Sequence, residues 1–336
     1  MGVSGLAWGL TIALIAGLML FDYTVQVRNT HVPTLREATV WSTFYIGVSI
    51  VFGIGVVIFG GPNMGVEYFA GYLSNEALSV DNLFVFLVIL SSFEVPRVAQ
   101  QKVLLFGIAL ALVARTGFIL LGVALIENFN WVFYLFGLGL LTMAISLAKP
   151  EEPEGRNADN VMIRLAHRFL RTSEHYDGGR FLVVENGRRA MTPLLVVMFA
   201  VGGSDLLFAF DSVPAMFGLT QNVFLVFAAT AFSLMGLRQL YFLVDTLLDR
   251  LVYLSYGLAL ILGFIGVKLV LQALHDNNIP FINHGKQVAV PEISTQMSLV
   301  VIVMVLTITA LVSIVSSHGR MPNSVGSAAY PSEREA

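Results

Sequence analysis

Apolar residues along this chain come in long runs with few polar interruptions, unlike the alternating or one-faced patterns of soluble strands and helices. Windows long enough to cross a hydrocarbon core as a helix, which takes about 20 residues, predict nine spans. They lie at 5–21, 40–59, 77–94, 103–125, 129–148, 193–217, 222–243, 251–274 and 297–316. The third should extend upstream of its apolar core, because MGVEYFAGYLSN at 64–75 has helix-compatible spacing and would form an entering turn. The implied fold class is all-α, a polytopic membrane helix bundle of about nine transmembrane helices.

Two stretches of this pattern are alike. Asp81 lies in NEALSVDNLFVFLVIL with Asn82 beside it, and Asp205 and Asp211 lie in FAVGGSDLLFAFDSVPAMFGL. Each motif span is followed by a span with one arginine, Arg115 in LVARTGFIL and Arg238 in MGLRQLYFL, and then by a glycine-bearing span. Spans three to five and six to eight therefore read as two inverted three-helix repeats, an arrangement that places a substrate site at the repeat interface near the bilayer midplane. The expected organisation is two N-terminal helices (1–60), a first repeat (61–148), a loop (149–192), a second repeat (193–275), an outer loop with the last helix (276–318) and a disordered tail (319–336). LAHRFLRT within the long loop suggests a short surface helix.

Charge orients the bundle, since cytoplasmic segments retain Lys and Arg. With the N-terminus outside, the inner segments hold Arg28, Arg36, Arg97, Lys102, the Lys149 to Arg189 cluster, Arg250, Arg320 and Arg334, while the outer ones hold only Lys286. This predicts a multi-pass protein of the bacterial inner membrane with its C-terminus in the cytoplasm. The opening residues carry no Lys or Arg before the first apolar run and no small-residue cleavage site after it, so no cleaved signal peptide is expected. Only 12% of residues are charged and mean hydropathy is +0.79, whereas soluble domains carry roughly 25% charged residues. A net charge of -3 without a basic stripe argues against nucleic-acid binding. The absence of cysteine removes disulfides and thiolate metal sites.

Ionisable groups at membrane depth carry the chemistry, since each costs about 2.5–3.5 kcal/mol on insertion scales and needs a partner, water or ligand. Asp81, Asp205 and Asp211 qualify. A helix break is expected around Gly202, Gly203 and Pro214, because Pro214 has no N–H for the Phe210 carbonyl. Six residues on a regular helix turn about 240°, so Asp205 and Asp211 would face different ways. The expected core site is Asp81 with Asp211, Asn82 and Ser212 supplying neutral oxygens, and Asp205 lining the route from the cytoplasm. Asn75, Glu76, the Phe210 carbonyl and Arg115 are further candidates. All these ligands are oxygens, which favour Mg, Ca or Mn. The six histidines, His31, His167, His175, His275, His284 and His318, fall outside spans or at their ends.

Each feature also has a plainer reading. Asp81 or Asp211 would pair with Arg115 as packing glue, Arg238 and Lys268 would snorkel from span ends, and Glu67 and Glu76 would be solvated at the interface. Phe84, Phe86 and Phe93 would be packing or lipid-facing surface, and Gly257, Gly263 and Gly266 would permit close helix contact. No HExxH motif, nucleophile–base pair or ATP-binding motif is present, so neither an enzyme nor a prosthetic group is expected.

At EYFAGYL (67–73), LSVDNLFVF (78–86), DLLFAFDSVPAMF (205–217), GLRQLYFL (236–243) and FIGVKL (264–269) the chain resembles the TerC/Alx family of bacterial membrane proteins, over about residues 20–316. That family's name marks an association with tellurium resistance, and its members look like manganese exporters. The family pattern has glutamates where this chain has Asn75 and Gly202. The resemblance implies secondary export of Mn²⁺ from the cytoplasm in exchange for protons, with lipid, metal ion and protons as partners. A membrane scaffold recruiting stress-response or protein-insertion partners through the 149–192 loop is the alternative.

Overall fold

A computed structural model of the chain describes residues 3–24, 34–93, 95–129, 131–148, 182–185, 188–247, 253–275, 283 and 288–318. Nine helices run through them: α1 Gly5–Asp22, α2 Leu35–Gly60, α3 Pro62–Ser92, α4 Arg97–Asn128, α5 Val132–Ala148, α6 Pro193–Leu219, α7 Val223–Leu247, α8 Leu254–His275 and α9 Thr295–His318. Every expected span is present. Eight of the nine are long and apolar enough to cross a membrane, and α5, at 17 residues, falls just short of that length. The expected helix at LAHRFLRT and the expected tail lie outside the described residues. An antiparallel hairpin, β1 Leu182–Glu185 with β2 Arg188–Met191, forms the end of the long loop.

The helix ends follow from local chemistry. Thr34 caps α2 in a reciprocal capping box, accepting from the Glu37 N–H while its own N–H donates to the Glu37 carboxylate at 2.9 Å. A single residue, Gly61, separates α2 from α3. Its φ of +88° is open to glycine without strain, and Pro62 then starts α3 where a missing N–H costs nothing. The upstream segment expected as an entering turn is thus part of one continuous 31-residue helix.

Position in the bundle tracks burial. In the most apolar windows of α7, 89% of residues are buried, against 17% in α1, 22% in α2 and 17% in α9. Helix α7 is therefore central and those three are peripheral, with Phe59 almost wholly and Leu6 and Ile58 largely exposed. Such a surface suits hydrocarbon as solvent, where the backbone is satisfied within each helix. Several hydroxyls are likewise settled within their own helix: Ser49 donates to the Tyr45 carbonyl, Thr116 to Leu112, Ser204 to Ala200 and Ser212 to Phe208.

The two three-helix blocks interlock crosswise. Helix α3 packs chiefly on α7, α4 on α6 and α5 on α8, while α3 also meets α6 and α4 meets α7. Exchanging the two blocks maps this set of contacts onto itself, trading α3–α7 for α4–α6 and leaving the other three unchanged.

A break in α6 is not what the structure shows. The helix runs without interruption through Gly202, Gly203 and Pro214. One proline removes a single ladder hydrogen bond, and packing on both sides of Pro214, which is itself buried, holds the remainder. A Cβ at Gly202 would overlap the end of the Leu110 side chain of α4, which would have to turn aside to admit it. Gly202 is therefore a contact glycine, bringing α6 close to α4.

Candidate functional site

Helix rotation decides which polar groups meet. Asn75 and Asn82 are seven residues apart on α3, nearly two full turns, so they share a face. That face looks toward Arg115 of α4 and Asp205 of α6. Arg115 is 1% exposed and Asp205 is fully buried. The Arg115 guanidinium donates through Nη2 to Asp205 Oδ1 at 3.0 Å and through Nη1 to Asn75 Oδ1 at 3.3 Å. With its amide turned to satisfy both of its ends, Asn82 accepts from Arg115 Nη2 at 3.2 Å and donates to the Leu78 carbonyl at 3.2 Å. Three oxygens from two helices thus converge on one cationic group supplied by a third.

The sequence-predicted residues divide accordingly. Asp205, Asn82, Asn75 and Arg115 come together. Asp205, expected to line an approach, is the carboxylate at the centre and the partner that Arg115 takes. Asp211 lies half-buried on another flank of the same regular helix, as their six-residue spacing requires, and its Oδ1 accepts from the Ser212 N–H at 2.7 Å. Ser212 is buried with its hydroxyl turned to the Phe208 carbonyl, while Phe210 is 61% exposed with its ring edge-on to Phe118. Asp81 is on α3 one residue before Asn82, and its side chain lies outside the described residues. Among the described residues no three carboxylate or imidazole groups cluster as a metal cage.

Glu76 faces away from this cluster toward α7. It is half-buried rather than solvated, accepts a hydrogen bond from Ser233, and has its Oε1 over Gly236. Ser233 in turn lies 3.3 Å from the Ser79 hydroxyl.

Two basic residues expected to snorkel sit inside the bundle. Arg238, 1% exposed, donates to Asp22 Oδ1 at the end of α1, and the Tyr45 hydroxyl donates to the same oxygen at 2.8 Å. Sequence reasoning passed over Asp22 and Tyr45. The signal was present: Asp22 closes the first span and Arg238 stands near the same-side end of the seventh, so the two lie at similar depth. Lys268, 8% exposed, donates to Ser298 Oγ at 3.2 Å. It lines a polar cavity of about 440 Å³ with Glu67, Thr220, Gln272 and Glu292, where α3 and α9 begin and α6 and α8 end. Glu67, taken as solvated, accepts from the Thr220 hydroxyl at 2.6 Å in this mouth.

A multi-pass helical bundle with a charged pair and two amides sealed between its central helices is the architecture of an integral membrane protein built around an internal polar site. The model of the integral membrane protein TerC family matches residues 60–320, and the chain belongs to that family. It is 68% identical over 332 residues to the membrane protein Rv2723 of Mycobacterium tuberculosis (strain ATCC 25618 / H37Rv), covering 98% of this chain and 84% of that one. It is 35% identical to Alx of Escherichia coli (strain K12), which is named as a candidate membrane-bound redox modulator, over 79% of this chain and 86% of that one. It is 41% identical to the thylakoid membrane protein TERC of Arabidopsis thaliana, over 67% of this chain and 59% of that one. No solved structure matches.

Proposed function

We propose that the chain is a secondary carrier that exports a divalent cation, Mn²⁺ first among the candidates, from the cytoplasm in exchange for protons. The observation that supports this reading most is the convergence of Asp205, Asn75 and Asn82 oxygens on one cationic group deep between α3, α4 and α6. Such a set is made only of hard oxygen donors, the type that suits Mg, Ca and Mn. Asp81, next to Asn82 in sequence, and Asp211, six residues along α6 from Asp205, are further carboxylates on the same two helices. The crosswise packing of the two blocks fits inverted repeats that rock about this region. With the N-terminus outside, the Glu67–Lys268 cavity is the outer mouth. A redox role of the kind named for Alx would here need a metal or a partner, since the chain has no thiol.

The test is manganese content in an exporter-deficient bacterium grown in excess Mn²⁺. Wild type should lower cell manganese several-fold, and Asp81→Asn and Asp211→Asn, present in the membrane at equal amounts, should not. A wild-type chain that leaves cell manganese unchanged would sink the exporter reading and favour a scaffold acting through the 149–192 loop.

A further inference from the structure

The oxygens that would hold a transported ion already hold a positive charge, and that charge belongs to the protein. Arg115 reaches from α4 into the α3–α6 interface, where its two terminal nitrogens engage Asp205, Asn75 and Asn82. A pair kept only for packing would need one carboxylate and one guanidinium. Here two amides also turn their oxygens inward, one from each end of a two-turn stretch of α3. Asp205 keeps a second oxygen, Oδ2, buried and without a hydrogen-bond donor from the protein, while the buried Asn75 Nδ2 and Arg115 Nε have no protein acceptor. The carboxylate therefore has coordinating capacity that the guanidinium does not use, at a point where burial makes an unused oxygen costly.

We propose that Arg115 is a tethered competitor for the cation site: a specificity-determining residue whose guanidinium occupies the Asp205–Asn75–Asn82 oxygens when no ion is bound and is displaced when one enters. This rests on the exporter reading and adds to it a means of release. A buried carboxylate facing a divalent ion with no competitor would bind it tightly and let it go slowly. A positive group on the same helix bundle returns to the oxygens as the ion leaves, so the carboxylate is never left bare, and affinity is held down. Because the guanidinium is planar and forks its donors, it spans oxygens on two helices at once, which a lysine ammonium does not do.

The experiment is Mn²⁺ binding by the purified full-length chain in nanodiscs, read from the electron paramagnetic resonance signal of free Mn²⁺, with size-exclusion profiles as a check on folding. Arg115→Gln should tighten Mn²⁺ binding by about tenfold, a size within the usual range for two ligands coupled at one protein. Adding Asp205→Asn to it should remove the gain. Free guanidinium at millimolar levels should weaken Mn²⁺ binding to Arg115→Gln and leave wild type unaffected, a response that a purely structural arginine would not produce. If Arg115→Gln fails to fold, Arg115→Lys serves instead and should bind Mn²⁺ several-fold more tightly than wild type, since a compact ammonium lacks the planar fork that fits oxygens on two helices. A folded Arg115 variant that binds Mn²⁺ no better than wild type, in a chain that does lower cell manganese, overturns the competitor role and leaves the exporter standing. No binding by wild type or variant, together with unchanged cell manganese, overturns both.

Discussion

Arg238→Met made alone should destabilise the bundle by about 3–5 kcal/mol, the usual loss when one member of a buried ion pair is removed and the other stays behind. Arg238 is 1% exposed on the most buried helix, and Asp22 is the carboxylate that meets it. Without the guanidinium, Asp22 would remain buried with only the Tyr45 hydroxyl for company. The double variant Arg238→Met with Asp22→Leu should recover most of the loss, because replacing both members of a buried pair with apolar groups is often neutral. Tyr45→Phe should cost less, about 1.5–3 kcal/mol, as a hydrogen bond to a charged group. Heat-induced loss of the monodisperse peak in detergent reads all of these. If Arg238→Met melts with wild type, Asp22 has water or another partner and the pair is not a structural tie between α1 and α7. The prediction bears on organisation as well as stability. Helix α1 is little buried and touches the bundle mainly through α7, so the Asp22 pair is its one buried ionic anchor among the described residues.

The spans were readable because lipid imposes a single requirement on all of them, length with few charges, and hydropathy measures that directly. Where reading fell short, the cause was local. Helix α3 begins at Pro62, well before its apolar window, since Asn63, Glu67 and two tyrosines dilute hydropathy over its first turns. The Gly61–Pro62 pair was the better marker of that turn. At the site, the residue types stood out but their pairing did not. Partners across helices depend on how α3, α4 and α6 are rotated, and helices apolar on nearly all sides carry little periodicity from which to read a rotation. Asp205 and Arg115 were both named, and only their meeting was missed. Gly202 misled for a related reason. A glycine pair beside an acid suggests a broken helix, whereas its missing Cβ here makes room for Leu110 of the neighbouring helix.

Close approach without a side chain gives the second large effect. Helices α5 and α8 cross at Gly137 and Gly266. A Cβ on Gly137 would stand 2.9 Å from the Gly266 carbonyl oxygen and 3.1 Å from the Val270 nitrogen, and one on Gly266 would stand 3.0 Å from the Gly137 oxygen and 3.2 Å from the Leu141 nitrogen. These obstacles are backbone, which cannot swing aside as a rotamer does, so Gly137→Ala or Gly266→Ala must push the helices apart. Each should cost about 1–3 kcal/mol, the range for overpacking a tight contact. Combining them should cost clearly less than the sum, because both relieve themselves by the same separation. Gly139→Ala, two residues from Gly137 on α5 and with nothing within 4 Å of its Cβ position, is the control. It should be neutral or stabilising by up to about 1 kcal/mol, the helix preference of alanine over glycine. Equal melting of Gly137→Ala and Gly139→Ala would show that α5 and α8 do not meet backbone to backbone. On the proposed carrier function the contact bears on movement as well as stability, since α5 and α8 are the last helices of their two blocks and their crossing is the most extensive one between blocks. A pair held this closely moves as one body, so any rocking of the blocks must be taken up where α3, α4, α6 and α7 meet, around Arg115 and Asp205.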